Sequence, residues 1–572
     1  MSQAWSSMPA QSKKRVDANG AAKAKPKAKA KASSDSSVVK KRPSAGGNVE
    51  TGLKRRPAAI PVADDQCTSN SAPDGTDGSK QQRKDNCVLL QALDAMFKKM
   101  TNEQKAAARA CLASESFKAG LHVGTIFSGS EVQCLAGSAV TRLLSPKASP
   151  QIPYYLCFSC DNDSMRQKWL TQCMPHICPV AHSAGSAGTV CCFADASGLG
   201  AEKAWCVAHG GQCRIPSVTI CIAGFSCKDL STCKAPQNTA RKSVLNDPSC
   251  STGRTFQSLK EYLREHQPPI YLGENLDELA ETGGANHMDM IEGLAEVNYT
   301  CEARTLQSCK YGSPSRRERA FIVAMCNNVI TRSEAIPIIK KVFDILSKLQ
   351  IGLPSVAANI LLPSTDPYIL EKLAQLQKSG NEAEDSNTSW RAKFDQLLAS
   401  QNLRYSDCAA PAECRGSPWF AALPIRAQAN LGYIKTVRPA AQSADVGQTI
   451  GRSYVSDEAV FPTMLPNHKI WDYSKHRLVT GLESMMVIGF DRRDIDQELL
   501  AANNIKDHHL RELAGNAFTG QIIGGLLLSL FAALPLEWLK SLPALPPEDI
   551  AAEPISEEDE AEVLNAIFEA VL

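Results

Sequence analysis

The feature that most constrains this chain is a recurring unit: a short apolar run that stops at a turn bearing a reactive or charged side chain. The clearest copy is Val218-Thr-Ile-Cys-Ile-Ala-Gly-Phe-Ser-Cys-Lys-Asp229. Val218, Ile220 and Ile222 read as a buried strand, and Gly224 breaks it. In a parallel α/β sheet, the loop past a strand's carboxyl end is where ligands bind. Cys227 stands at that place, with Lys228 beside it to favour the thiolate. A second copy, Pro269-Ile-Tyr-Leu-Gly-Glu-Asn-Leu276, delivers Glu274 and Asn275 at its end. A cysteine and a carboxylate from neighbouring strand ends can act as nucleophile and proton donor. Taken singly, such a cysteine more often packs as a small hydrophobe. The order of the surrounding segments gives it weight.

Upstream, the same rhythm starts at Leu121. His122-Val-Gly-Thr-Ile-Phe-Ser-Gly-Ser130 reads as a strand and a glycine turn, and Val132 to Leu144 as the helix after it. Pro153 to Asp163 is the next strand, ending in acids that include Asp161, and a helix over Met165 to Gln172 follows. Val190-Cys-Cys-Phe-Ala-Asp195 again ends in a carboxylate. A strand, a glycine turn, a helix and two further strands ending in acids form the outline of a Rossmann-type nucleoside site.

Downstream of Cys227, residues 228–255 are polar and long enough for a mobile active-site loop, and Phe256 to His266 reads as a helix. Cys221 is expected to face the core and Cys233 to ride the loop. Arg316, Arg317 and Arg319 precede another strand, a placement suited to phosphate or base-edge contacts. The α/β rhythm lapses over residues 333–470, apart from an amphipathic helix near Ile338 to Leu349. It resumes near Arg511-Glu-Leu-Ala-Gly-Asn-Ala-Phe518. Ile522 to Leu536 is the most apolar run, short for a membrane span, and reads as a buried helix.

Charge is asymmetric along the 572 residues although the net charge is only +2. Residues 1–60 hold fourteen Lys and Arg against three acids, and the stretch from Glu548 to Glu569 is mainly acidic. The low-complexity basic arm is expected to be disordered and to meet nucleic acid. Its Lys40-Lys-Arg-Pro43 and Lys54-Arg-Arg-Pro57 clusters suit nuclear import. Leu89, Leu90, Leu93, Met96 and Phe97 then take helical spacing, and Thr101 opens a second helix as its cap. With 21 cysteines and no secretory signal, a reducing compartment is expected, with most thiols free. Cys157-x-x-Cys160 lies on a strand, where its members face opposite sides, and the histidines are scattered. No metal site is expected.

The segments that carry chemistry resemble, in order, the motifs of the cytosine-5 DNA methyltransferase family. Phe127-Ser128-Gly129 looks like its first S-adenosylmethionine motif, Asp161 like the ribose acid and Asp195 like the acid facing the adenine amino group. Gly224-Phe-Ser-Cys-Lys228 resembles the nucleophile motif Gly-Phe-Pro-Cys-Gln, and Glu274-Asn-Leu276 resembles Glu-Asn-Val. Ser315-Arg-Arg-Glu-Arg319 matches Gln-x-Arg-x-Arg except at its first position. Arg477 through Phe490, with Glu483, resembles the stretch that braces the recognition region. Gly515-Asn516-Ala517-Phe518 is similar to the closing motif that returns to the cofactor pocket. The chain departs from the family pattern at Glu131, Ser226, Lys228 and Ser315.

The resemblance implies an α/β, Rossmann-like S-adenosylmethionine-dependent methyltransferase domain with an inserted target-recognition region and a disordered basic N-terminal arm. The corresponding division is a disordered arm over 1–85, a helical lead-in over 86–120 and the first part of the catalytic domain over 121–332. Recognition takes 333–470, the closing catalytic part 471–540 and an acidic tail 541–572. The implied cofactor pocket is Phe127, Ser128, Gly129, Asp161, Asp195, Asn516 and Ala517, and the implied catalytic set is Cys227, Glu274, Arg317 and Arg319. Cys227 would add to C6 of a flipped-out cytosine while Glu274 engages N3 and Arg317 the base's O2. DNA is the expected partner and the nucleus the expected location. RNA cytosine methylation, or nucleic-acid binding without catalysis, are the alternatives.

Overall fold

The computed structural model describes residues 87–540 and 542, apart from 119, 146–152, 180–188, 231–242, 353–356, 381–388 and 449–453. The chain divides into units 1–72 and 73–572, and every described residue lies in the second. The expected basic arm, its import clusters, the acidic tail and Cys233 all lie outside the described residues.

Among the described residues, nine strands form the main sheet: β1 (Leu121–Ile126), β2 (Tyr154–Cys160), β3 (Cys191–Phe193), β4 (Lys203–Cys206), β5 (Gly211–Arg214), β6 (Ile220–Ala223), β7 (Ile270–Asn275), β8 (Tyr299–Gln307) and β9 (Glu318–Cys326). Their order is β5-β4-β3-β2-β1-β6-β7-β9-β8. The five central strands from β3 to β7 run parallel. β9 inserts antiparallel between β7 and β8, and the β4–β5 hairpin extends the opposite edge. The chain leaves β1 for β2 on one side and returns to β6 on the other. That reversal is the switch point at which open α/β sheets bind ligands.

Alternation along the strands feeds two cores, because successive side chains point to opposite faces. Val123, Ile220, Ile222, Leu272 and Val323 face one core, whereas Ile126, Cys221, Ala223, Tyr271 and Ile322 face the other. The first core is covered by helices α1 (Val88–Lys99), α2 (Asn102–Leu112), α3 (Val132–Leu144), α6 (Arg332–Lys348) and α10 (Gly520–Ala533). The second is covered by α4 (Ser251–His266) and α5 (Ala285–Glu296). Thr101 caps α2 through a reciprocal capping box with Gln104, as its sequence suggests. All fourteen residues of α10 are buried, which accounts for its uniformly apolar composition. Truncating Leu527 there removes a fully buried side chain and is expected to cost about 2–5 kcal/mol.

Beyond α6 the chain becomes largely helical, including α7 (Ile425–Val437), and adds a four-stranded sheet. Its strands are β10 (Ser443–Asp445), β11 (Val455–Ser456), β12 (Ile470–Asp472) and β13 (Arg477–Leu478). Arg477 forms a paired, fully buried contact with Glu483 of α8 (Gly481–Ile488), at 2.9 and 2.6 Å. Both partners also grip Leu362, Arg477 at its carbonyl (2.7 Å) and Glu483 at its N–H (2.8 Å). This buried pair fastens the inserted segment to the returning chain. Removing one partner is expected to destabilise by about 3–5 kcal/mol, since the other charge is left buried alone. The last motif helix, α9 (Asp507–Asn516), ends against the main sheet's carboxyl edge.

Candidate active site

Six of the sequence-selected positions occupy carboxyl ends of the parallel strands. Phe127 and Gly129 follow β1, Asp161 follows β2, Asp195 follows β3, Cys227 follows β6 and Glu274 lies in the last turn of β7. The β1 turn is conformationally unusual: Phe127, Gly129 and Glu131 all have left-handed backbone (φ 57, 59 and 62°). Two of these are not glycine, and each costs about 1–2 kcal/mol in that conformation. A side-chain carbon built on Gly129 would meet only carbonyl oxygens of Asn516 and Phe127, at 3.7 and 3.9 Å. The turn therefore lies beside the closing motif with space above it.

Asp161 is buried at the floor of that space. Its Oδ2 accepts the Gly129 N–H (3.1 Å), its Oδ1 accepts the Asp163 N–H (3.1 Å), and Arg166 lies 3.5 Å away. Burial raises its pKa, opposed by Arg166 and the two N–H donors. Asp195 is exposed and accepts the Ser197 N–H at 3.0 Å, capping a short helical turn. The Ser128 hydroxyl points inward, 2.7 Å from that of Thr125, so its part in the site is to shape the turn. Asn516 is exposed and Ala517 buried, and the Asn516 side chain donates to the Glu512 carbonyl at 3.0 Å. Glu131 turns beneath the loop, fully buried and hydrogen-bonded to the Thr125 hydroxyl, and burial pushes its carboxyl up to about 8.

The second half of the site gathers around Glu274. Its Oε1 accepts from Arg317 (3.2 Å) and lies 3.3 Å from Nε of Arg319. Arg317 also donates to the Gly515 carbonyl at 2.8 Å, joining β9 to the closing motif. The Cys227 thiol feels all three: Glu274 raises its pKa, while Arg319 and Arg317 lower it. Burial is the largest influence, and the net shift is upward. This corrects the expectation that Lys228 would favour the thiolate, because Lys228 is exposed and the groups that lower the thiol's pKa are Arg319 and Arg317. Arg316 is not part of this group. It pairs with Glu458 of the inserted region. Ser315 likewise donates to the Pro462 carbonyl at 3.1 Å, so its stretch joins the sheet to the insertion.

The turn that carries Cys227 is latched to the start of α4. The Ser226 N–H donates to the Thr255 hydroxyl (3.0 Å), and Asp229 and Thr252 exchange backbone-to-side-chain bonds at 3.1 and 2.9 Å. A proline at 226 would have no N–H for the first of these. Asn275 adds a 2.9 Å bond to the Phe225 carbonyl, tying β7 to the same turn. Helix α4 starts at Ser251 rather than Phe256, with the Cys250 thiol accepting the Gly253 N–H at 3.2 Å. The shortened loop reflects a cap that is not among the usual Ser, Thr, Asp and Asn signals.

Two outcomes concern the other cysteines. Cys221 is fully buried in the core, as expected. The reading that the histidines are scattered and no zinc-like spacing exists is corrected, because the β4–β5 hairpin brings Cys206, His209 and Cys213 against Cys191. That hairpin was not legible as a pair of strands, since Lys203–Cys206 and Gly211–Arg214 are short and mixed in polarity.

The sequence pattern of the C-5 cytosine-specific DNA methylase family matches residues 208–525, more than half of the chain. The chain is 25% identical over 476 residues to the DNA (cytosine-5-)-methyltransferase DMT5 of Cryptococcus neoformans, covering 78% of this chain and 18% of that relative. It is 26% identical over 116 residues to the type II methyltransferase M.HhaI of Haemophilus parahaemolyticus, covering 20% and 33%. Among solved structures, the S. pombe Dnmt2 methyltransferase is similar at 11% identity and TM-score 0.35, covering 72% of this chain and 98% of that one. The chain thus spans between about a fifth and a third of the lengths of these curated relatives. On a family pattern that covers more than half its residues, the chain belongs to the C-5 cytosine-specific DNA methylases.

Proposed function

We propose that this chain transfers a methyl group to C5 of cytosine in DNA, with Cys227 as the nucleophile. The observation that carries this reading is the convergence of Cys227, Glu274, Arg317 and Arg319 beside the closing motif, at the switch-point end of the sheet. The β1 side of that switch point suits a nucleoside. Gly129 leaves room above the turn, the buried Asp161 carboxylate can accept from ribose hydroxyls, and Asp195 keeps one oxygen for an exocyclic amine. S-adenosylmethionine, when bound, supplies the methyl group. Phe127, Gly129, Asp161, Asp195, Asn516 and Ala517 would hold it.

Cytosine C5 is a poor nucleophile, so the ring needs covalent help. The Cys227 sulfur adds to C6 while Glu274, carrying a proton, donates it to N3, and the C5–C6 π pair shifts toward C4 and N3 to leave an enamine whose C5 is nucleophilic. Arg317 moves from its Glu274 contact toward the base's O2, with Arg319 left to hold the carboxylate. After methylation water in the site takes the C5 proton, the C5–H pair re-forms the C5–C6 double bond, the C6–S bond breaks to expel the Cys227 thiolate, and N3 returns its proton to Glu274. The thiol gives its proton to the neighbouring Glu274 carboxylate, which carries it to N3, and the two arginines stabilise the resulting thiolate. The target base has to leave the duplex first, at a cost of a few kcal/mol.

The basic arm supports a salt-sensitive, sequence-independent contribution to DNA affinity, and its Lys/Arg clusters support work in the nucleus. The test is transfer of labelled methyl to matched DNA and RNA oligonucleotides. Incorporation is expected on DNA carrying unmodified cytosine and none on DNA whose cytosines are already methylated at C5. Incorporation on RNA alone, or binding of cofactor and DNA with no transfer, contradicts the reading.

A further inference from the structure

We infer that Cys191, Cys206, His209 and Cys213 form a structural zinc site that fastens the β4–β5 hairpin to β3. This inference stands apart from the methyl-transfer reading. The ligand atoms of all four lie within 4.8 Å of one another. His209 Nδ1 is 3.6 Å from Sγ of Cys191, 3.2 Å from that of Cys206 and 3.4 Å from that of Cys213. Tetrahedral zinc, with bonds of ~2.3 Å to sulfur and ~2.0–2.1 Å to nitrogen, places sulfur and nitrogen ~3.6 Å apart. The edges of the empty cage are therefore already close to those of an occupied one.

The backbone explains how the cage forms. Cys206 ends β4 and Cys213 lies in β5, with the reversal between them completed by Gly210 in left-handed backbone (φ 65°). His209 therefore sits at the hairpin tip, exposed, above three thiols that are 7, 0 and 3% exposed. The Cys192 N–H points at Cys206 Sγ from 3.3 Å, the kind of outer contact that orients and stabilises a metal-bound thiolate. A need for such a staple is visible in the sheet. β3 and β4 share a single register pair, Phe193 with Cys206, so the edge hairpin is held to the sheet by a short ladder. A disulfide would use two of the thiols and leave the third and the imidazole without a role.

The donor set selects the ion. Three sulfurs and one imidazole in a tetrahedron favour zinc over oxygen-seeking magnesium or calcium. Four protein ligands leave no open position, so the site is structural rather than catalytic. Binding exchanges the thiol protons for the metal and leaves the imidazole neutral. The consequence for the rest of the molecule runs through β3, whose carboxyl end leads directly to Asp195.

The test is metal analysis of the tag-free full-length protein by mass spectrometry, joined to X-ray absorption at the zinc edge. One zinc per chain with three sulfurs and one nitrogen is expected. His209→Cys should keep the metal with four sulfurs, and Cys206→Ser should lose it. His209→Ala alters an exposed residue and keeps the test valid if Cys206→Ser fails to fold. Losing an outer partner alone costs about 10–100-fold in metal affinity, so losing this ligand should speed zinc release to a chelator at least about tenfold. Zinc-free protein with four unmodified side chains overturns the inference. So does a Cys206–Cys213 disulfide in non-reducing peptide maps, or zinc whose release His209→Ala and Cys206→Ser leave unchanged.

Discussion

Two groups of cysteine side chains occupy the same sheet and are set up for opposite chemistries. Cys227, past β6, faces a carboxylate and two guanidinium groups, with a hydroxyl-lined latch holding its turn. Cys191, Cys206 and Cys213, at the β3 edge, face one another and an imidazole. A lone thiol among charges that can stabilise it when ionised suits transient bond formation to a substrate. Thiols that converge on a point have no room for a substrate and suit an ion. What separates the two is the neighbouring strand: β7 brings Glu274 beside β6, whereas the β4–β5 hairpin folds further thiols onto β3.

The strongest attempt to break this contrast exchanges the effects of two serine substitutions. Cys227→Ser is expected to abolish methyl transfer while zinc content stays at one per chain. Cys206→Ser is expected to remove the zinc while Cys227 stays reactive toward a small alkylating agent. Zinc analysis and alkylation followed by peptide mapping read both, and a shared effect of the two substitutions would collapse the distinction.

Glu274→Gln sharpens the contrast by giving opposite signs in two assays. Transfer should fall by about 10²–10⁴-fold, the scale of a lost proton-handling group. Alkylation of Cys227 should accelerate, because the carboxylate that raises its pKa is gone and both arginines are released. The pH profile of alkylation should shift to lower pH accordingly. A shift to higher pH contradicts the electrostatic picture.

Thr255→Val tests whether the latch positions the nucleophile. It strands the Ser226 N–H and is expected to cost about 1–3 kcal/mol, read as lower kcat with cofactor affinity unchanged. A loss confined to cofactor affinity would place the effect elsewhere.

Glu131 isolates burial from chemistry, since its carboxyl is as deeply enclosed as any thiol here and is hydrogen-bonded to hydroxyls, with Cys178 and Asp161 adding only smaller upward pulls. Its folded pKa of about 8 lies above the ordinary 4.5, so the folded protein keeps a proton that the unfolded chain releases. Its contribution to stability is therefore present below the lower value and lost as pH rises through the upper one. Glu131→Gln should flatten the fall in stability across that window, by up to about 1.4 kcal/mol per pH unit. Thermal melts across the window check it, and an unchanged slope contradicts it.

Much of this was legible in the sequence because strand-end motifs follow from short local patterns. The run Val218 to Ala223 and the break at Gly224 locate Cys227 without any knowledge of its neighbours. The adjacency of the Cys227 and Glu274 strands was expected too, and β6 and β7 are neighbours, but the order of the other strands was not legible because long crossovers rather than local patterns set it. The upward pull on the thiol's pKa was not legible, because it comes from burial and from Glu274, a strand away, against Arg319 and Arg317 some ninety residues on. Nor was the metal cage, whose fourth ligand comes from a separate strand and whose hairpin lacks alternating polarity. Cys250 as a helix cap was hidden for a simpler reason: thiols seldom serve as caps.

The central claim, that Cys227 forms the bond to the base, is tested most directly by trapping. A duplex carrying 5-fluorocytosine cannot lose a proton from C5, so the covalent complex should persist once methyl has been transferred. With S-adenosylmethionine present, one stable protein–DNA adduct is expected, mapped by peptide mass to Cys227 and absent from Cys227→Ser. An adduct on any other cysteine contradicts it, as does a protein that binds both cofactor and duplex and forms no adduct.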